Sequence, residues 1–526
     1  MDETEEKEEI EGTEETEQSE QTEETEQAEQ KENYTGNTSA LSVAGNFVWR
    51  FLERFGAQIV SFVVSIVLAR LLDPDVYGTT ALVTVFTTIL NVFVDSGFGN
   101  ALIQKKDADD LDFSSVFYFN IVMCAALYAV MFFAAPLIAT FYAYESLTPV
   151  VRVLSLTVVI SGVKNVQQAY VSRTMQFKRF FWATLVGTLT SAVVGIALAY
   201  FGFGVWALVA QNLTNTTIDT IMLWFTVKWR PKKMFSLTRL KSLFNFGWKL
   251  LVSALLDTVY NELRQLVIGK VYSSSDLAYY NKGRQFPYLI IQNVNSSIDS
   301  VLLPSMSKEQ DKKEHVKKMT RRAIKTSTYI MAPIMMGMFA CAEPVILFLL
   351  TDKWADAIPF MRIFCVTFMF YPIHTANLNA IKAMGRSDYF LKLEIIKKCI
   401  GLALLFATMF ISVKAIAYGM LASSFISQIV NAYPNRKLLD YGYVQQMKDI
   451  LPAILLAVFM MGCVYCVTFL GLSDILTLII QIPLGVLIYI GGSALLKLEA
   501  FQYLWNLFTT SIWPNVVAFL KKKKSK

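Results

Sequence analysis

The sequence predicts an all-α polytopic membrane protein of about 14 transmembrane helices, with two six-helix pseudo-symmetric lobes around a central cavity and two extra C-terminal helices. Three observations predict it. Of 526 residues, 54% are hydrophobic and only 17% charged, with a mean hydropathy of +0.43; a soluble domain is about 45–50% apolar and about 25% charged. Apolar runs of twenty-odd residues recur from Asn46 to about residue 496, and about 20 helical residues cross a bilayer. The opening of the seventh run repeats that of the first, 199 residues later. This composition excludes a soluble globular enzyme and a disordered chain.

Taken in order, residues 1–40 form an acidic low-complexity tail. Its first 32 residues hold 16 acids against Lys7 and Lys31, so residues 33–526 carry the balance, +20. Such charge with so few apolar residues supports no packed core, and a disordered cytoplasmic tail is expected. No secretory signal is expected, because these residues lack an apolar segment.

Backbone groups in lipid must be satisfied within the chain, so the apolar runs are helices. The expected spans are 46–72, 76–102, 113–141, 147–171, 180–201, 204–227, 243–270, 276–304, 322–350, 356–381, 388–411, 415–434, 450–470 and 474–496. The N-terminal lobe is then 41–242 (spans 1–6), the C-terminal lobe 243–449 (spans 7–12), and 450–498 holds spans 13 and 14. Beyond them, 499–526 reads as an amphipathic basic segment: Phe501, Leu504, Trp505, Phe508 and Ile512 recur at helical spacing before Lys521–Lys524. A helix lying on anionic lipid is expected there.

Loop charge gives the orientation. The stretches 103–112, 172–179, 228–242, 305–325, 382–392 and 435–449, around the ends of the even-numbered spans, hold 25 Lys and Arg; the loops after odd-numbered spans hold only Lys353 and Lys414. Both termini and a large Lys-rich loop, Ser305–Lys325, itself read as a short helix, are therefore expected in the cytoplasm of a multi-pass protein of the bacterial cytoplasmic (inner) membrane.

The internal repeat pairs Asn46-Phe47-Val48-Trp49-Arg50 with Asn245-Phe246-Gly247-Trp248-Lys249. Six spans per copy bring both in from the same side, related by an axis along the membrane normal. The repeat also carries polarity. Arg50, Arg54, Gln58, Ser61 and Ser65 share one face of span 1, and Lys249, Ser253, Asp257, Tyr260 and Arg264 share the matching face of span 7. Span 8 adds Asn281, Gln285, Gln292, Asn295 and Asp299, with Lys282 and Arg284 close by; Asp95 lies in span 2. A charge at the bilayer centre costs about 2.5–3.5 kcal/mol, so these faces must meet each other or water. A hydrated central cavity is the expectation; a dry polar lock is the alternative.

Catalytic chemistry is not expected. No Gly-rich loop ends in Lys-Ser or Lys-Thr. Six cysteines sit in apolar stretches and read as helix packing, Cys463 and Cys466 included. His315 and His374 are too few for a multi-His metal site. His374, between Pro372 and Asn377, reads as a satisfied polar side chain at a kink or as a proton-coupling group.

At this point a family resemblance is visible. Asn46–Gln104, with VLARLLDPDVYGTTALVTVF and DSGFGNALIQKKD, resembles the start of Wzx-type lipid-linked oligosaccharide flippases of the multidrug/oligosaccharidyl-lipid/polysaccharide (MOP) superfamily. SRTMQFKRF (residues 172–180) and the span-7 block NFGWKLLVSALLDTVYNELRQLVIGKVYSSSDLAYYNKGRQFP are similar to the same family. The resemblance covers roughly residues 41–500; the Glu-rich tail departs from it. It implies two lobes in a V, alternating access, and an undecaprenyl-pyrophosphate-linked sugar repeat as cargo.

On that basis Arg50, Arg54, Lys249, Arg264, Lys282 and Arg284 are expected to form the cationic side of the cleft, since a guanidinium can hold two phosphate oxygens. Asn281, Gln285, Gln292 and Asn295 would contact sugar. Glu53, Asp95, Asp257 and Asp299 would balance charge or couple to H⁺ or Na⁺. No other cofactor and no nucleic acid is implied. Membrane lipids, glycosyltransferases and a polysaccharide polymerase are the partners in view. The rival is a cation-coupled multidrug or metabolite antiporter on the same plan, for which an acidic cavity would be expected. A membrane polymerase or ligase would need a large external loop, and a non-transporting scaffold leaves the matched polar faces without purpose.

Overall fold

Apolar periodicity becomes helix throughout: the computed structural model describes residues 40–512, with side chains from Gly56 onward, and no strand occurs among them. The acidic tail and Lys521–Lys524 lie outside the described residues. The helices are α1 (Ala40–Leu71), α2 (Pro74–Val94), α3 (Asn100–Gln104), α4 (Asp110–Tyr142), α5 (Leu147–Leu154), α6 (Leu156–Arg173), α7 (Phe177–Tyr200), α8 (Val205–Thr226) and α9 (Leu237–Val271). They continue as α10 (Ser274–Lys308), α11 (Lys313–Ala340), α12 (Ala342–Leu350), α13 (Ile358–Met369), α14 (Tyr371–Ala383), α15 (Ser387–Thr408), α16 (Val413–Leu439), α17 (Tyr443–Cys466), α18 (Asp474–Leu495) and α19 (Glu499–Leu507).

Eight of these segments are long and apolar enough to cross a membrane, or nine if the bent pair α11–α12 is one span. The count of 14 is thus not reached by length and composition. The other expected spans are helical, but the described apolar part of α1 is only Gly56–Leu71, and α8, α9, α10 and α15 carry too many polar or charged residues. Large apolar side chains face outward on the qualifying helices, among them Phe133 at 76% exposure and Leu487 at 71%. Only hydrocarbon makes that surface stable.

Two breaks have covalent causes. The chain turns by 65° between α11 and α12, where Pro344 cannot donate a helical hydrogen bond. Pro372 sits in the first turn of α14, just after the break at Phe370. The stretch expected as a loop with a short helix, Ser305–Lys325, is helical over more of its length than expected: α10 runs to Lys308 and α11 starts at Lys313, leaving only residues 309–312 between them.

The chain divides into two compact units, Met1–Leu72 with Thr79–Leu263, and Asp73–Gly78 with Arg264–Lys526. In the first, α7 packs along α8 and α1, and α6 along α4 and α8. Gly187 permits close α7–α8 packing, since a Cβ there would meet the Asn215 carbonyl oxygen at 3.2 Å. Phe113, Phe117, Tyr170 and Trp229 form an aromatic core at one end of this unit. In the second, α10 packs on α13 and α14, α11 on α17, and α17 on α18.

Candidate functional site: polar groups on the membrane helices

In the second unit the site is built on α10. The helix starts with a capping box, Ser273 accepting from the Asp276 amide and Asp276 from the Ser273 amide. Its dry face packs on α13: the Tyr280 ring lies edge-on to Phe364 at 5.1 Å and to Phe360 at 5.9 Å. Gly283 allows this approach, because a Cβ would sit 2.6 Å from Phe360 Cβ and 2.7 Å from the Ala357 carbonyl oxygen.

The polar stripe occupies a different angle of the helix. Asn281 Nδ2 donates to Gln265 Oε1 at 2.8 Å. Gln285 is half-buried and Gln292 is exposed. The Arg284 guanidinium lies over the Tyr288 ring at 5.1 Å, and its Nε, like Asn295 Oδ1, is buried without a hydrogen-bond partner. Asp299 is exposed and accepts from Asn379 Nδ2 at 2.8 Å.

Lys282 differs from its expected place on a wet face. It is 5% exposed, with Nζ 4.3 Å from the centre of the Tyr77 ring and 5.7 Å from that of Trp354. Two aromatic faces replace water around its charge. Trp354 is itself fully buried, edge-on to Tyr77 at 5.4 Å and to Tyr279 at 6.1 Å.

Along α9, Lys249 and Asp257 are exposed, and Arg264 is half-buried. Asp257 accepts from Asn261 at 3.2 Å. Arg50, Glu53 and Arg54 fall on the first half of α1, where the backbone is helical and the side chains lie outside the described residues.

The first unit holds a cluster of which the sequence reading named only Asp95. Lys164 on α6 and Asp219 on α8 form an ion pair at 2.8 Å, with side chains only 15% and 13% exposed. Next to it, Asn165 Nδ2 donates to Asp95 Oδ1 and Asn120 Nδ2 to Asn165 Oδ1, each at 3.3 Å. Asp95 opens a π-helical turn, Asp95–Gly99, of the kind often found at functional positions. Gly99 leaves room for Asn165, whose Oδ1 would lie 3.1 Å from a Cβ. A signal was available: Gln211, Asn212, Asn215, Thr216, Asp219 and Thr220 make a polar stripe at helical spacing. His374 has its Nδ1 3.2 Å from Asn431 Nδ2.

Comparison with known proteins places this architecture. The chain is similar to the lipid II flippase MurJ in an inward closed conformation, with a TM-score of 0.71 at 15% identity, covering 85% of this chain and 98% of that one. It is also similar to an inward-facing MATE-family multidrug transporter of the MOP superfamily, with a TM-score of 0.58 at 15% identity, covering 73% and 94%. At this identity the likeness shows the fold: the helices of a multi-pass membrane protein, arranged as in these two transporters.

The family follows from the sequence itself. The chain belongs to the polysaccharide biosynthesis protein family, which matches residues 67–359. Among curated relatives it is 25% identical over 333 residues to the succinoglycan biosynthesis transport protein ExoT of Rhizobium meliloti (strain 1021), covering 63% of this chain and 67% of that protein. It is 23% identical over 305 residues to the teichuronic acid biosynthesis protein TuaB of Bacillus subtilis (strain 168), covering 57% and 63%. The lipopolysaccharide biosynthesis protein WzxC of Escherichia coli (strain K12) is 20% identical over 333 residues, covering 63% and 68%. The matches thus span about two thirds of these relatives' length.

Proposed function

We propose that the protein moves undecaprenyl-pyrophosphate-linked oligosaccharide repeat units across the bacterial cytoplasmic membrane for cell-surface polysaccharide synthesis, by alternating access and without bond chemistry. The observation that carries this reading is on α9 and α10. Each has 35 residues, neither is apolar enough to count as a lipid-facing span, and Lys249, Asp257, Gln292 and Asp299 are exposed along them. Such faces are stable only against water.

The physical need matches. Each sugar hydroxyl stripped of water without a partner costs roughly 2–7 kcal/mol, and a repeat unit carries many. A wet polar passage restores those hydrogen bonds while the prenyl tail stays in lipid. Arg284, whose Nε has no partner, and Arg264 would take the pyrophosphate; Asn281, Gln285, Gln292 and Asn295 would take sugar. Asp95 and Asp299, each held by one amide, are the coupling groups for H⁺ or Na⁺. One charge moved through 100 mV supplies about 2.3 kcal/mol. With 25 basic residues on the connections and adjoining span ends of one side and 2 on the other, both termini are cytoplasmic. Glycosyltransferases and a polymerase would act before and after this step.

The test is a deletion strain. Lipid-linked repeat units should accumulate, and surface polymer should disappear. The native gene should restore export, and Arg264→Ala/Arg284→Ala at equal protein level should not. Normal polymer with raised drug sensitivity would overturn this reading in favour of the antiporter.

A further inference from the structure

Outside the polar stripes, α11 and α19 line an open cavity of about 360 Å³. One wall is a row of four cations on α11: Lys318, Arg321, Arg322 and Lys325. Two are already committed. Arg321 holds Asp449 through two bonds of 2.7 Å. Lys325, 16% exposed, pairs with Glu499 and sits 3.7 Å from Asp449. The four cations and these two acids leave two positive charges over. They belong to Lys318 and Arg322, which are exposed one helical turn apart on the cavity wall.

The opposite wall is α19. Its Tyr503 ring lies 4.6 Å from the Arg322 guanidinium carbon, which holds the planar fork in place without neutralising it. Gln502 and Asn506 add neutral hydrogen-bonding groups. The space equals on the order of ten water volumes, enough for a phosphodiester and its hydration.

The level of the cavity selects the ligand. α19 follows the apolar span α18 after a turn at Leu496–Leu498. It carries stacked Phe501 and Trp505 rings 5.9 Å apart, and Trp505 and Phe508 are exposed. Aromatic residues of this kind sit at the membrane–water boundary, the depth of lipid phosphates. We propose that this cavity binds the phosphate of an anionic phospholipid headgroup, with Arg322 and Lys318 as its ligands and Tyr503 as the positioning residue for Arg322. The site would tie the end of α18 to α11 only where the leaflet is anionic, and it is independent of any cargo.

The experiment is native mass spectrometry of the full chain in detergent with phosphatidylglycerol or phosphatidylcholine added. Phosphatidylglycerol should be retained at least tenfold more tightly. Lys318→Gln/Arg322→Gln should lose on the order of tenfold in that preference, the equivalent of one charge-assisted contact. Replacing Lys521–Lys524 by Ser should leave it in place. An unchanged preference in the double variant, or one abolished by the Ser replacement alone, overturns the proposal. Inorganic phosphate displacing the lipid at equal concentration overturns the lipid source. Should the double variant not fold, Tyr503→Ala, which keeps every charge, must weaken the same preference, and an unchanged value there also overturns it.

Discussion

In the first unit Lys164 meets Asp219 at 2.8 Å and Asp95 rests on Asn165. In the second, Arg284 lies across Tyr288 and leaves Nε without a hydrogen-bond partner. Both arrangements put charge inside helices of a membrane protein, but they spend it differently. A paired cation is satisfied by the fold and has little left for a ligand. A guanidinium held by a ring keeps its donors available. The comparison teaches that polarity within a span does not by itself mark a transport site; the state of its partners does.

The largest expected effect attacks the satisfied side. Asp219→Ala strands Lys164 in a nearly dry place and should destabilise the protein by about 3–5 kcal/mol, read by thermal unfolding in detergent. Lys164→Leu/Asp219→Leu should recover most of that loss. If the double variant loses as much as Asp219→Ala or more, the pair is not coupled and the comparison fails.

Next comes close packing beneath the unsatisfied side. Gly283→Ala forces α10 away from α13 and should cost about 1–3 kcal/mol, with export falling alongside stability. Arg284→Ala should do the reverse: unfolding temperature shifts little, while export at matched protein level drops on the order of tenfold, the cost of one charged contact. Arg284→Lys should rescue only partly, because the fork is lost. Full export by Arg284→Ala would place Arg284 with the structural charges.

The smallest effect lies outside the spans. Lys313 beside Asp440 holds that exposed carboxyl below its ordinary value. A depressed acid contributes stability above its unfolded value, and the contribution is lost as pH falls through the folded one. Asp440→Asn, which tolerates the left-handed backbone there (φ 49°), should lower the unfolding temperature slightly above about pH 5, where that contribution is present. It should remove only a slight acid sensitivity below that.

Much of the fold was legible because it is local. The spacing of apolar residues foretold helices at 113–141 and 180–201, where α4 and α7 run, and Pro372 foretold a kink. The polar stripe of α10 was legible for the same reason, since Asn281, Gln285, Gln292, Asn295 and Asp299 lie at helical steps. At Ser305–Lys325 the helical character was legible but its extent was not, because hydropathy marks where lipid ends and helix propensity carries α10 and α11 past that point. The Lys164–Asp219 pair was missed because its partners lie 55 residues apart, although the polar stripe on α8 that holds Asp219 was there to be read.

The sequence by itself determined that this chain is helical, resides in a membrane, and repeats a polar stripe after 199 residues. Those properties follow from composition and periodicity, summed along the chain. Only the tertiary structure decided which polar groups meet. Lys164 and Asp219 are 55 residues apart, Asp95 and Asn165 are 70, and Asp299 and Asn379 are 80. Lys282 lost its expected wet position to the rings of Tyr77 and Trp354. A contact between helices depends on their rotation and depth, which many small packing contacts settle together. Gly283 against Phe360 is one of them, and no local pattern encodes the sum.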